Sequence, residues 1–364
     1  MKRKKSKKIM IVLIIFLILL ALFIIVLPPS KGKLSQYKDD SGNTLDGSIS
    51  EKISVTIGNT DIGMILLGED INNPVLLFCG GGPGIPEYLL EDFYGSVLSK
   101  HFVVCYFDYR GTGLSIHDTL SSDAMNTEQY LNDVYEITDY LCNRFDTEKI
   151  YIMGHSFGTY VALNAAYEHP EKYTAYLAVS QTTKQYESEC KAYDYMLNAY
   201  RTSGNKKMQK QLEKYSIYDS KEAFDAYRKS GVRDKAMHDL GVGTARDMKS
   251  VISDLFLKSL RCKSYTIGER IYIWRGKVKS HGFAVTKDTF SFNAFETIDT
   301  LKIPIYFFAG KFDYTCCEEL QRQYYEFIDA PIKKYYLYPD SAHSPIFEDD
   351  ELTDEFLQDI LGSK

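Results

Sequence analysis

Apolar and polar positions along most of the chain predict strands that alternate with helices. Short apolar runs rich in β-branched and aromatic residues predict buried strands, and segments with apolar residues three and four positions apart predict helices. The predicted strands cover residues 52–57, 62–67, 74–79, 102–108, 149–153, 173–179, 303–309 and 334–338. The predicted helices cover residues 86–99, 127–145, 157–168, 318–328 and 344–361. This alternation indicates a mostly parallel sheet with helices on both faces.

The alternation stops between residues 181 and 300. This segment is rich in Lys, Tyr, Asp and Glu, has helical spacing in pieces such as 193–200 and 245–260, and lacks a long apolar run. We therefore predict a helical insertion before the last two strands of an α/β domain. The core of that domain would consist of residues 51–180 and 301–364.

The N-terminus follows a different pattern. Six of the first eight residues are Lys or Arg, and residues 9–27 contain no polar side chain. As a helix, residues 9–27 would span about 28 Å, close to the thickness of the hydrocarbon core of a bilayer. We expect a single-pass anchor in the cell membrane, with the basic tail 1–8 in the cytoplasm and the domain on the extracytoplasmic side. Residues 28–50 would then be a polar linker.

A cleavable signal peptide is the alternative interpretation of the N-terminus. Such a peptide has a shorter apolar region, followed by a cleavage site with small residues. The anchor is followed instead by Pro28, Pro29, Ser30 and Lys31. This sequence favours an anchor that is not cleaved.

Composition and charge exclude several classes of function. The 364 residues are 45% hydrophobic, enough for a sizeable core. Without the basic tail, the chain has 37 basic and 49 acidic residues. The resulting net charge of −12 excludes nucleic-acid binding. The seven cysteines are odd in number and none has C-x-x-C spacing. They therefore predict neither a disulfide framework nor a metal site.

One predicted turn contains a candidate nucleophilic serine. Gly154-His155-Ser156-Phe157-Gly158 lies between the strand predicted at 149–153 and the helix predicted at 157–168. G-x-S-x-G between a strand and a helix is the pattern of a nucleophile elbow, where the serine occupies a sharp, strained turn. Glycines flank it because side chains there would collide with the strand or the helix. A serine that caps the helix in an ordinary turn is the alternative.

A nucleophilic serine needs a histidine base and an acid that orients it. In this architecture the chain order is Ser, acid, His, each after a strand. Asp313 lies four residues after the strand predicted at 303–309, and His343 lies five residues after that at 334–338. Asp340 is the alternative acid, but its position three residues before His343 is typical of a turn residue.

The oxyanion of a tetrahedral intermediate needs backbone N–H donors. One donor is expected from Phe157, which follows the nucleophile, and the other from the loop after the third strand, residues 80–84. Neither phosphate-binding pattern, G-x-x-x-x-G-K-[ST] or G-x-G-x-x-G, is present in that loop.

These motifs resemble the α/β-hydrolase superfamily and, more narrowly, the proline iminopeptidase group of serine aminopeptidases, from about residue 50 to the end. That group carries H-G-G-P-G, D-x-R-G-x-G-x-S and a G-x-S-x-G elbow. Here residues 80–84 read G-G-G-P-G and residues 108–115 read D-Y-R-G-T-G-L-S. The resemblance implies a triad of Ser156, Asp313 and His343, and a cap formed by the insertion. It also implies oxyanion donors at Phe157 and at Gly82 or Gly81.

Two departures from the group's pattern affect the expected specificity. Gly80 stands where the group has histidine, and His155 and Phe157 stand where prolyl enzymes have Gly and Trp. Prolyl specificity therefore does not follow from the resemblance.

The resulting expectation is a membrane-anchored serine hydrolase of aminopeptidase type, acting on short peptides through an acyl-enzyme without a metal or organic cofactor. The alternatives are a carboxylesterase or acylglycerol lipase on the same fold, and a non-catalytic binding protein. An aminopeptidase must pair the ammonium group of its substrate with carboxylates. Glu187 and Glu189 are the candidates, because they lie where the chain enters the cap; a solvated helix face is the alternative for both.

Overall fold

The sheet of the computed structural model, which describes residues 26–117 and 120–362, has eight strands in the order β1-β2-β4-β3-β5-β6-β7-β8. The first two strands form an antiparallel hairpin, β2 pairs antiparallel with β4, and the remaining pairs are parallel. The strands are β1 Ile49–Ile57, β2 Thr60–Gly68, β3 Val75–Cys79, β4 Val103–Phe107, β5 Ile150–His155, β6 Tyr173–Val179, β7 Ile305–Gly310 and β8 Lys333–Tyr338. The predicted mostly parallel sheet is confirmed.

Helices cover both faces of this sheet. Alternate residues of β3 point to opposite sides, so that Leu77 and Cys79 join one buried apolar cluster and Leu76 and Phe78 join the other. The core helices are α1 Tyr88–Tyr94, α2 Leu98–His101, α3 Thr127–Arg144, α4 Phe157–Glu168, α13 Glu318–Phe327, α14 Pro345–Glu348 and α15 Asp350–Gly362. Short 3₁₀ turns lie at Gly113–Ser115, Ser122–Ala124 and Pro170–Lys172.

Two predicted helices are each divided into two. Gly95, at φ 77°, ends α1 and separates it from α2, because a left-handed residue cannot continue a right-handed helix. Asp349, in extended backbone, separates α14 from α15. The side chain of Asn126 caps α3 by accepting from the N–H of Gln129, so the helix begins one residue after its cap.

The insertion between β6 and β7 is helical, as predicted, and we refer to it as the cap. Its helices are α5 Gln185–Thr202, α6 Lys206–Leu212, α7 Lys221–Arg228, α8 Gly231–Asp239, α9 Leu257–Ser259, α10 Ile267–Ser280, α11 Ala284–Ser291 and α12 Ala294–Thr297, with a π-helical turn at Val251–Phe256. Residues 245–250, predicted as helical, are not. The cap reaches the carboxyl edge of the sheet, where Ser280 Oγ donates to Pro83 O and His343 N donates to Gly243 O.

The predicted membrane helix at 9–27 lies outside the described residues, apart from Val26 and Leu27. Within residues 26–117 and 120–362, no helix combines the length and apolar character needed to cross a membrane. Part of the polar linker predicted at 28–50 contacts the domain. Arg270 Nη1 donates to Pro28 O at 2.7 Å, and Lys31 forms a β-bridge with Thr266, so residues 28–31 pack on the cap.

Candidate active site

Ser156 lies on the sharp turn between β5 and α4. Its backbone has φ 54° and ψ −123°, a conformation that strains an L-residue and persists only when its surroundings enforce it. Here the N–H of Ser156 donates to Val179 O at 3.0 Å. Its carbonyl accepts from the hydroxyls of Thr159 and Thr182 at 2.5 and 3.0 Å. The turn therefore holds the serine at the carboxyl edge of the sheet.

The two glycines of the elbow have the steric role that the motif predicts. A Cβ on Gly154 would lie 2.6 Å from both Gly158 O and Thr159 Cα. A Cβ on Gly158 would overlap the carbonyl of Cys79 on the neighbouring strand. Any side chain at either position would push α4 away from the sheet.

Asp313 and His343, from the loops after β7 and β8, meet at this edge. His343 Nδ1 lies 3.0 Å from both carboxylate oxygens of Asp313, whose side chain is fully buried. Asp313 also accepts from the N–H groups of Thr315 and Cys316 at 2.8 and 2.9 Å. A proton on Nδ1 leaves Nε2 as the basic nitrogen of His343. The alternative acid, Asp340, is exposed.

The loop after β3 packs against Ser156, since a Cβ on Gly81 would lie 3.3 Å from Ser156 Cβ. The N–H of Gly81 is not directed at a substrate, because it donates to Glu87 Oε2 at 2.7 Å. Of the two residues predicted as the second oxyanion donor, Gly82 or Gly81, this hydrogen bond favours Gly82. Phe157 is the first residue of α4, and the leading N–H groups of a helix lack intrahelical acceptors.

Sequence reasoning missed a buried pair beside the nucleophile, Glu87 and His155. His155 Nδ1 lies 2.7 Å from Glu87 Oε1, and His155 Nε2 donates to His343 O at 2.8 Å. Burial lowers the pKa of His155, but the Glu87 charge and the hydrogen bonds outweigh it and raise the pKa overall. With an acceptor at each nitrogen, the ring is best satisfied as an imidazolium. The pair links the loop at Gly81 to the backbone of His343.

Glu87 can reach this position because residue 80 is a glycine and has no side chain. A Cβ on residue 80 would lie 2.8 Å from Glu87 Cβ, so the side chain that the iminopeptidase pattern has there would exclude Glu87. The sequence contains one indication of the Glu87–His155 pair, namely this departure from H-G-G-P-G together with a histidine in the elbow. Neither identified Glu87 as the partner.

A cavity of about 270 Å³ lies between the cap and the carboxyl edge, and Ser156, Phe157 and Gly82 line it. Glu189 reaches the cavity from α5 and is buried, with its two oxygens 2.6 and 2.7 Å from the guanidinium of Arg233. Glu187 is not among the lining residues. Its exposed carboxylate lies 3.8 Å from Lys184, so the solvated helix face describes Glu187 better than a substrate contact does.

The arrangement of potential metal ligands and of the cysteines can be described for residues 26–117 and 120–362. No group of three or more His, Cys, Asp or Glu side chains there is arranged to hold a metal ion. All seven cysteines fall within the described ranges and are free thiols.

The fold and the site define a hydrolase. The chain belongs to the alpha/beta hydrolase fold family, whose pattern matches residues 74–350. It is 26% identical over 324 residues to the probable aminopeptidase YbaC of Bacillus subtilis strain 168, a match that covers 84% of this chain and 94% of the relative.

Solved structures share the fold at low identity. A proline iminopeptidase from Mycobacterium smegmatis aligns with a TM-score of 0.62 and 13% identity, over 86% of this chain and 100% of the other. A thermophilic esterase from Thermogutta terrifontis aligns with a TM-score of 0.52 and 15% identity, over 86% and 98% of the two chains. Since both enzymes share the fold, the fold does not select between peptide and ester substrates.

Proposed function

We propose that this protein is a serine aminopeptidase that removes N-terminal residues from short peptides by way of an acyl-enzyme. The observation that carries the proposal is the hydrogen-bonded pair of Asp313 and His343, in loops at the same edge of the sheet as a strained Ser156 that lines the cavity. The likeness to the probable aminopeptidase of B. subtilis supports the peptidase assignment.

In the proposed reaction, His343 Nε2 accepts the proton of Ser156 Oγ as the oxygen attacks the scissile carbonyl carbon. The N–H groups of Phe157 and Gly82 stabilise the oxyanion of the tetrahedral intermediate. His343 then protonates the departing amine, the C–N bond breaks, and the acyl group remains on Ser156. A water molecule then attacks the acyl carbon while His343 accepts one of its protons. The bond between the acyl carbon and Ser156 Oγ breaks, His343 returns the proton to Oγ, and the amino acid leaves.

Glu189 is the proposed acceptor for the substrate ammonium group. A carboxylate offers about four acceptor positions, of which Arg233 occupies one on each oxygen. We propose that the other acceptor positions, which no hydrogen bond from residues 26–117 or 120–362 occupies, accept from a substrate ammonium. In this arrangement Arg233 is a positioning residue that holds Glu189 in the cavity. Glu187 is too exposed for the role.

The matched pair of glutamates on α5 provides the test. The kcat/KM of the purified full-length protein is compared on aminoacyl anilides with free and with acetylated amino termini. We expect acetylation to lower kcat/KM by ~100-fold, near 3 kcal/mol. Glu189→Gln should remove most of this difference, and Glu187→Gln, the control, should retain it. Equal rates on both substrates, or much faster turnover of simple acyl esters, would instead identify an esterase.

We also propose that residues 9–27 anchor the protein in the cell membrane as a single-pass helix, with the hydrolase domain on the extracytoplasmic side. The proposal rests on the apolar character and length of this segment and on the basic residues that precede it.

A further inference from the structure

The cavity above Ser156 carries more positive than negative charge. Its lining includes four basic side chains and one acidic side chain, Glu189, which forms an ion pair with Arg233. The basic side chains beyond that pair are Arg228, Lys277 and His281. Recognition of a substrate ammonium group does not require these three basic side chains.

Lys277, on α10, reaches the loop that follows β3. Its Nζ donates to Pro83 O at 3.3 Å, one residue from the candidate oxyanion donor Gly82. No ion pair joins Lys277 to a carboxylate of residues 26–117 or 120–362. Burial lowers its pKa to about 8. A partly buried ammonium without a counter-charge gains free energy when an anion enters.

Arg228 lies at the end of α7, with its guanidinium carbon 3.6 Å from the centroid of the Phe290 ring. A guanidinium that contacts a ring in this way can still donate its N–H groups to an oxyanion. Partial burial and the charges of Lys277 and Arg228 lower the pKa of His281. All three side chains line the cavity, and His281 is the neutral one at pH 7.

We propose that Lys277 and Arg228 form a carboxylate subsite that binds the C-terminal carboxylate of a di- or tripeptide substrate. The inference rests on the proposed aminopeptidase function and names its substrate class. A dipeptide extends at most about 7 Å, and a cavity of about 270 Å³ is below the usual range for drug-sized ligands. Both ends of a very short peptide would then be recognised, the ammonium by Glu189 and the carboxylate by Lys277 and Arg228.

The test compares alanyl-alanine with alanyl-alaninamide, which differ in charge at one end and hardly in shape. We expect kcat/KM of the full-length protein to favour the free carboxylate by roughly 10- to 100-fold, the range of a hydrogen bond to a charged group. Arg228→Gln and Lys277→Met should each bring this ratio towards one. Lys229→Gln, a change at the neighbour of Arg228 that does not line the cavity, should leave it intact. A wild-type ratio near one, or a ratio that neither pocket variant changes, would overturn the subsite.

A binding measurement separates failure of the subsite from failure of the proposed reaction. Calorimetric titration of the Ser156→Ala protein with the same two peptides reports recognition without turnover. Tighter binding of alanyl-alanine, lost in the Arg228→Gln background, supports the subsite even if the wild type hydrolyses neither peptide; the aminopeptidase proposal alone would then fail. Equal affinity for both peptides would overturn the subsite even if both are hydrolysed.

Discussion

Removing the carboxylate of Glu87 should destabilise the protein and impair the reaction together. Glu87 accepts from Gly81 N–H and pairs with His155, and each side chain of the pair is 4% exposed. Glu87→Ala leaves the buried imidazolium of His155 and the partly buried N–H of Gly81 without their acceptor. Breaking a buried ion pair from one side lowers the free energy of unfolding by about 3–5 kcal/mol. The loop that carries Gly82 also loses one of its attachments, the hydrogen bond from Gly81 N–H, and we expect kcat to fall by ~100-fold.

Urea denaturation followed by circular dichroism measures the first effect, and hydrolysis of the preferred aminoacyl substrate measures the second. Glu136→Ala is a matched control, because Glu136 also accepts from a glycine N–H, that of Gly58, but is exposed. It should change the free energy of unfolding by less than about 1 kcal/mol. If Glu87→Ala behaves like this control and keeps the wild-type kcat, our account of the pair is wrong.

The Glu87→Gln variant removes the charge of this side chain and keeps its shape, so it isolates the contribution of the charge to stability. A neutral His155 can accept from the new amide N–H, while the amide oxygen accepts from Gly81, so we expect a loss of only about 1–2 kcal/mol. Because the folded-state pKa of His155 is raised above its ordinary 6.5, the ion pair stabilises the wild type below pH 6.5. That stabilisation is lost as the pH rises through the folded-state pKa. The difference between wild type and Glu87→Gln should therefore shrink towards alkaline pH, and a difference that grows would contradict the assigned charge.

Further predictions concern the triad and the anchor. Ser156→Ala should lower kcat by ~10⁶-fold and abolish labelling by a fluorophosphonate, and undiminished labelling would refute the elbow assignment. Asp313→Asn should lower kcat by ~10⁴-fold. Protease added to the outer surface of intact cells should digest the domain and leave a short anchor fragment. Resistance until lysis would reverse the proposed orientation, and a mature N-terminus near Ser30 would identify a cleaved signal peptide.

The sheet and the elbow could be read from the sequence because their signals are local. A buried strand needs only a short apolar run, and the G-x-S-x-G turn places its steric demands on Gly154 and Gly158, within five residues of each other. Asp313 and His343 could also be proposed from the sequence. Parallel strands end at one edge of a sheet, so residues shortly after β7 and β8 are brought towards Ser156 whatever the details of packing.

The contacts between these elements were decided by the tertiary structure. Glu87 lies 68 residues from His155 and reaches it only because Gly80 leaves room beside the loop. Glu189 meets Arg233 across 44 residues of the cap, where helix packing determines which charges meet. A local pattern shows that α5 carries two glutamates, but not which one is buried. The charge of the cavity, and with it the chemistry of the substrate, depends on how the cap helices pack over the sheet.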